Sequence, residues 1–223
     1  MNPFIEDIKK QYKNGSALIK LIFVNVGVFL AVYIIGNVLY LLDVGSSEAL
    51  FNLLSLPASF SAIINQPWSF VTYMFLQKGL LHMGFNMMIL YLGSQIFEQY
   101  LNQKKLVLVY ILGGLVGGGL FVLAYNVFPV FDNSIDATVL GASASVLAVL
   151  VAAATYVPNF VVRLMFIGEV KLKYIAMGFF VLSLVNVQGG NSGGHIAHLG
   201  GALFGFMYIQ QLKKGRDFTV GFS

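Results

Sequence analysis

Val139-Leu140-Gly141-Ala142-Ser143-Ala144-Ser145-Val146 lies near the middle of the chain. There a polar segment holding Asp132, Asn133, Asp136 and Thr138 gives way to an apolar run that reaches about Val157. The run reads as a helix that begins at the serine. First-turn amides of a helix have no intrahelical acceptor, and the helix dipole is positive at that end. A serine placed there suits a nucleophile whose substrate develops an oxyanion. The run from Ala142 to Val157 is also short for a hydrocarbon core of roughly 30 Å. A short helix starting at Ser143 sets the serine below the membrane surface, in a recess of the kind where irregular backbone is tolerated.

Composition supports a membrane setting. The chain of 223 residues is 58% hydrophobic and only 10% charged, against about 25% charged in soluble domains, and its mean hydropathy is strongly positive. This defines an all-α integral membrane protein. The 24 glycines, several inside apolar runs, fit helix contacts in lipid, where small residues allow close backbone approach. The absence of cysteine excludes disulfides, thiolate metal sites and a cysteine nucleophile. The net charge of +4 is no nucleic-acid signature, because the positive residues sit in short loops between apolar runs.

Six runs of spanning or near-spanning length can be counted: about Leu18–Leu42, Leu80–Phe97, Leu106–Phe128, Ala142–Val157, Tyr174–Val187 and Gly194–Leu212. The third is rich in glycine at Gly113, Gly114, Gly117, Gly118 and Gly119. The chain accordingly divides into an N-terminal segment (1–17), a six-span membrane domain (18–212) and a tail (213–223) that reads as short and disordered. The N-terminus carries no recognisable cleavable signal, so the first run reads as a retained anchor. Lys9, Lys10, Lys13, Lys20, Lys104, Lys105, Arg163, Lys171, Lys173, Lys213, Lys214 and Arg216 fall on one side of these runs, and Lys78 alone on the other. The positive-inside rule then puts both termini in the cytoplasm and Ser143 toward the extracytoplasmic face, most simply of a bacterial plasma membrane. The segment Asp43–Lys78, with Leu50, Phe51, Leu53, Leu54, Leu56, Phe60 and Trp68, is too apolar for an aqueous loop. Pro57 and Pro67 argue against a spanning helix, so it reads as an interfacial loop, whether functional or only a packing element.

Ionisable and amide side chains inside a membrane are costly and mark functional sites. The three histidines are His82, His195 and His198. His82 and Asn86, four residues apart on the second run, share a helix face. They suit either donation to an oxyanion or an interhelical hydrogen bond. Three imidazoles raise a zinc reading, but there is no His-Glu-x-x-His and no acidic residue deep in a span. An aspartyl pair and a buried lysine base are missing too. What remains is a serine with histidine as general base, and without a well-placed carboxylate it is a dyad. Gly201 and Gly205 on the sixth run, and Ala144, Ala148 and Ala152 on the fourth, give two small faces that would bring His198 to Ser143.

Three motifs together resemble the rhomboid family of intramembrane serine proteases. Ala197-His198-Leu199-Gly200-Gly201-Ala202-Leu203-Phe204-Gly205 is similar to its Ala-His-x-x-Gly-x-x-x-Gly helix. Leu81-His82-Met83-Gly84-Phe85-Asn86-Met87 resembles its His-x-x-x-Asn helix, and Gly141-Ala142-Ser143-Ala144 its Gly-x-Ser-Gly turn. The resemblance covers nearly the whole chain and implies a rhomboid-like six-helix bundle. It also implies Ser143 as nucleophile, His198 rather than His195 as base, and an oxyanion hole of His82, Asn86 and the Ser143 amide. Gly141, Ala144, Gly201 and Gly205 would be the packing residues near the site. Ala144 stands where the family usually has glycine, and Leu147 where an aromatic often packs on the histidine. Ser69 replaces the arginine of a Trp-Arg signature in Gln66-Pro67-Trp68-Ser69, and Gln77 replaces a frequent histidine.

The resemblance further implies single-pass transmembrane protein substrates with a small residue before the cut. They would enter from the lipid bilayer between the second and fifth spans, with water arriving past Gln188, Asn191, Ser192 and His195. No cofactor and no nucleic-acid partner is implied. The rival reading is a catalytically inactive scaffold of the same fold that binds membrane helices. A small transporter would need paired discontinuous helices and an inverted repeat, and neither is visible in the sequence.

Overall fold

A computed structural model describes residues 3–164 and 167–217. An N-terminal amphipathic helix, α1 (Pro3–Asn14), leads through Gly15 and Ser16 into α2 (Ala17–Leu41). The segment after α2 folds into α3 (Ser47–Leu54), a two-residue strand β1 (Leu56–Pro57), α4 (Phe60–Asn65), α5 (Ser69–Thr72) and a 3-10 turn at Tyr73–Phe75. Helices α6 (Leu80–Tyr100) and α7 (Gln103–Val127) follow. A second short strand, β2 (Thr138–Val139), precedes α8 (Ser143–Tyr156). The hairpin β3 (Val161–Leu164) and β4 (Gly168–Lys171) leads into α9 (Leu172–Val185), and α10 (Ser192–Lys213) closes the bundle.

Helices α2, α6 and α7 are each long and apolar enough to cross a membrane, and α8 and α9 are shorter apolar helices. With the 22-residue α10, they form an all-α membrane bundle of six principal helices. The observed helix ends lie within three residues of the ends read from the sequence. The tail differs. Helix α10 continues through Lys213, and the turn after it is closed by Lys214 and Arg216 amides donating to Gln211. Asp217 then pairs with Lys105 at 2.9 Å. Order therefore extends past Leu212, because the helix-ending carbonyls find local donors.

At its centre stands α8. Fourteen residues rise about 21 Å, and Ala144–Leu150 and Ala152–Ala154 are buried by α6, α7, α9 and α10. Small residues make this close assembly work. A Cβ on Gly117 would lie 2.6 Å from the Ala197 carbonyl oxygen and 2.7 Å from Ala144 Cβ, while one on Gly200 would lie 2.9 Å from Gly117 Cα. Helices α7, α8 and α10 thus meet nearly backbone to backbone, where dispersion rather than water exclusion holds helices together.

At several helix ends the backbone groups without an intrahelical partner are satisfied by specific neighbours. Gln103 Oε1 accepts from the Ala17 amide at 3.1 Å, and Glu98 Oε1 from the Leu18 amide at 3.1 Å, so the α6–α7 corner caps the start of α2. Asn102 accepts from the Lys105 amide at 2.8 Å and caps α7. At the far end of α8, Lys213 Nζ donates to the Thr155 carbonyl at 2.7 Å, a cation against a helix C-terminus.

Candidate active site

The turn before α8 is built by the segment between α2 and α6. Leu56 pairs with Val139 and Pro57 with Thr138 in an antiparallel two-strand ladder, and the Ala58 amide donates to the Ala137 carbonyl at 2.9 Å. The Gly141 amide donates to the Tyr73 carbonyl at 2.9 Å. The interfacial segment is therefore hydrogen-bonded to the strand that delivers Ser143. It is itself pinned by Trp68 Nε1 to the Leu53 carbonyl (3.0 Å) and Thr72 Oγ1 to the Leu54 carbonyl (2.6 Å). Asn126 of α7 donates to the Ala58 carbonyl at 2.8 Å. Ser69 is fully buried with no hydrogen-bond partner for its hydroxyl among the described residues.

Gly141 is a turn residue rather than a helix-packing one. Its φ of +134° lies where side chains are strained. An added Cβ would sit 3.2 Å from His82 Cε1 and 3.4 Å from Ser143 Oγ. The missing side chain leaves the space between imidazole and hydroxyl. At Gly201 and Gly205 helices α10 and α8 approach closely: a Cβ on Gly201 would collide with the Ala144 carbonyl oxygen, and one on Gly205 with that of Ala148.

This contact between α8 and α10 sets His198 beside Ser143. The Nε2 of His198 and the Oγ of Ser143 are 2.6 Å apart. His82, Asn86, Phe85 and Ile89 of α6, Ser143, Val146 and Leu147 of α8, Phe179 of α9 and His198 line one cavity of about 200 Å³. Its lining includes neither Gln188, Asn191 nor Ser192, which lie in the α9–α10 connection and the start of α10, nor His195. The His195 ring stands edge-on to that of His198 at 5.7 Å, and its Nδ1 is buried without a partner among the described residues. Ser145 points away from the cavity. Its hydroxyl is fully buried against Gly114 of α7 with no hydrogen-bond partner among the described residues.

Two polar groupings went unmarked in the sequence, and the first joins Asn86 and Gln77, both singled out there, to Asn25 and Tyr110, which were not. Asn86 Nδ2 donates to Gln77 Oε1 at 2.8 Å, and Gln77 Nε2 to Asn25 Oδ1 at 3.4 Å. Asn25 in turn donates to the Leu21 carbonyl (2.9 Å) and the Tyr110 hydroxyl (3.0 Å), and Tyr110 reaches the Met74 carbonyl at 3.1 Å. This chain of amides ties the Asn86 carboxamide to α2 and α7. Asn25 is a fully buried amide inside an apolar run, which was the available signal. The second is Ser183 of α9, whose Oγ lies 3.2 Å from His198 Nδ1. A single serine in an apolar helix gives no such signal, since its hydroxyl can bond the preceding turn of its own helix.

Fold and cavity together define a polytopic α-helical membrane protein with a serine–histidine contact and convergent polar side chains at the start of a central helix. A Rhomboid domain model matches residues 64–214. The chain belongs to the rhomboid family. A search of curated proteins returned no match.

Proposed function

We propose that the protein is an intramembrane serine endopeptidase that cuts transmembrane segments of other membrane proteins with a Ser143–His198 dyad. The observation that carries this reading is the 2.6 Å contact between His198 Nε2 and Ser143 Oγ. In the reaction Oγ attacks the scissile carbonyl carbon while Nε2 takes its proton. The carbonyl oxygen, now an oxyanion, receives the Ser143 amide together with donors from His82 and Asn86. The imidazolium returns the proton to the leaving amine, and a water molecule then repeats the sequence on the acyl-enzyme.

Entry between α6 and α9 is supported by two aromatic residues. Phe85 of α6 and Phe179 of α9 both line the cavity and both expose part of their surface on the bundle exterior. Substrates would be single-pass segments with a small residue before the cut and a helix that unwinds readily. The 12 basic residues at one end of the helices support cytoplasmic termini, an extracytoplasmic Ser143, and a plasma membrane of bacterial type. The membrane domain spans 18–212.

Fluorophosphonate labelling of the purified protein tests the reading. Labelling is expected in the parent and lost in Ser143→Ala and in His198→Ala. A folded parent that resists the probe would favour the helix-binding scaffold. Labelling that survived Ser143→Ala but not Ser145→Ala would mean the wrong serine, an outcome the buried Ser145 hydroxyl argues against.

Gln77 supplies a second check. Gln77→Leu removes the acceptor that orients the Asn86 carboxamide and leaves Asn25 with one contact fewer. Loss of an oxyanion donor lowers turnover by roughly 100- to 1,000-fold. Misorienting one that is still present is expected to lower kcat by about 10-fold, with KM little changed, as read by substrate cleavage in proteoliposomes. An unchanged kcat would remove the amide chain from the catalytic account.

A further inference from the structure

We propose that Ser183 is a positioning residue that holds His198 in the tautomer the dyad requires, and that it thereby ties the base to the seating of α9. The inference rests on the protease reading. For His198 Nε2 to accept the Ser143 proton, the ring hydrogen must reside on Nδ1. The Ser183 Oγ, 3.2 Å from Nδ1, is the acceptor that fixes it there. Nδ1–H donates to Ser183 before proton transfer and continues to donate once the ring is an imidazolium, when the bond is charge-assisted and stronger. This is the orienting task of a carboxylate in a triad, performed here by a neutral hydroxyl. Among the described residues lining the cavity there is no carboxylate to take the role, and the other polar rings near His198 are His195 and His82.

The placement of Ser183 follows from how α9 packs. The buried residues of this helix are Leu172, Ala176 and Ser183, which fall on one narrow face at helical spacing. Met177, Leu182, Leu184 and Val185 are each more than half exposed. Helix α9 thus rests on the bundle along a single line, and the residue at the cavity end of that line is the one that touches the base. Any displacement of α9 that widens the gap beside Phe179 also draws Oγ away from Nδ1. Base orientation and closure of α9 are then one equilibrium: a substrate can pass while the base is loosened, and the base is set when the helix returns.

The test compares Ser183→Ala, Ser183→Thr and Ser183→Val in proteoliposomes with a single-pass substrate, together with the rate of fluorophosphonate labelling. Threonine and valine match in shape and differ in the hydroxyl. A lost hydrogen bond to a charged group corresponds to about a 10- to 100-fold change. Alanine and valine are therefore expected to lower kcat by about 10-fold or more with KM within about two-fold, and to slow labelling in parallel, whereas threonine retains the parent rate. Equal activity of the threonine and valine variants, or a loss confined to KM with labelling unchanged, would overturn the role of Ser183 and leave it a packing residue. A parent that neither labels nor cleaves would instead overturn the protease reading itself, so the two failures are distinguishable.

Discussion

His198→Ala is expected to lower cleavage of a single-pass substrate by about 10,000-fold or more, Ser143→Ala to do the same, and the double variant to be no worse than either. The non-additivity is the informative part. Oγ and Nε2 are in direct contact at 2.6 Å, so each acts only through the other: an unassisted hydroxyl is a weak nucleophile, and an imidazole facing a methyl group has no proton to take. Two residues contributing independently would multiply their losses. The measurement is initial cleavage rate in proteoliposomes at saturating substrate for the parent, both single variants and the double variant. A double variant far slower than the singles would break the dyad. A His198→Ala protein that cut within a few-fold of the parent would do so as well.

The bundle and the residues that meet in the serine–histidine contact were legible in the sequence for a physical reason. Long apolar runs are their own signature in a membrane protein, and Ser143, His82, Asn86 and His198 are polar residues at places where polarity is expensive. The helix starts at Leu80 and at Ser143 fall within a residue of where composition changes. Less legible were features formed by distant partners. A two-residue ladder such as Leu56–Pro57 with Thr138–Val139 has no periodicity to read. The chain from Asn86 through Gln77 to Asn25 and Tyr110 joins residues up to 85 positions apart, and each amide taken alone looks like local capping. The resemblance makes Gly141 a packing residue near the site. Its role follows from a positive φ and from the imidazole beside it, which only the folded backbone reveals.

Gly201→Ala carries the other large effect, and it falls on stability and activity together. The missing side chain of Gly201 is the space occupied by the Ala144 carbonyl, and that of Gly205 the space occupied by the Ala148 carbonyl. A methyl group at either place meets backbone, which cannot rotate out of the way as a side chain can, so α10 must move off α8. Overpacking of this kind costs about 1–3 kcal/mol, and the backbone contact puts Gly201→Ala near the upper end of that range. The displacement acts one helical turn from His198, whose Nε2 must stay within hydrogen-bond reach of Ser143. Turnover is therefore expected to fall by at least about 10-fold even in the fraction that remains folded. Gly119→Ala in α7 is the matched control: nothing lies within 4 Å of its added Cβ, and alanine in place of glycine favours a helix by up to about 1 kcal/mol. Thermal unfolding in detergent and cleavage in proteoliposomes should separate the two variants, with Gly119→Ala at or above the parent and Gly201→Ala well below it in both. If Gly201→Ala matched the parent in both, the direct backbone contact that brings base to nucleophile would have to be abandoned.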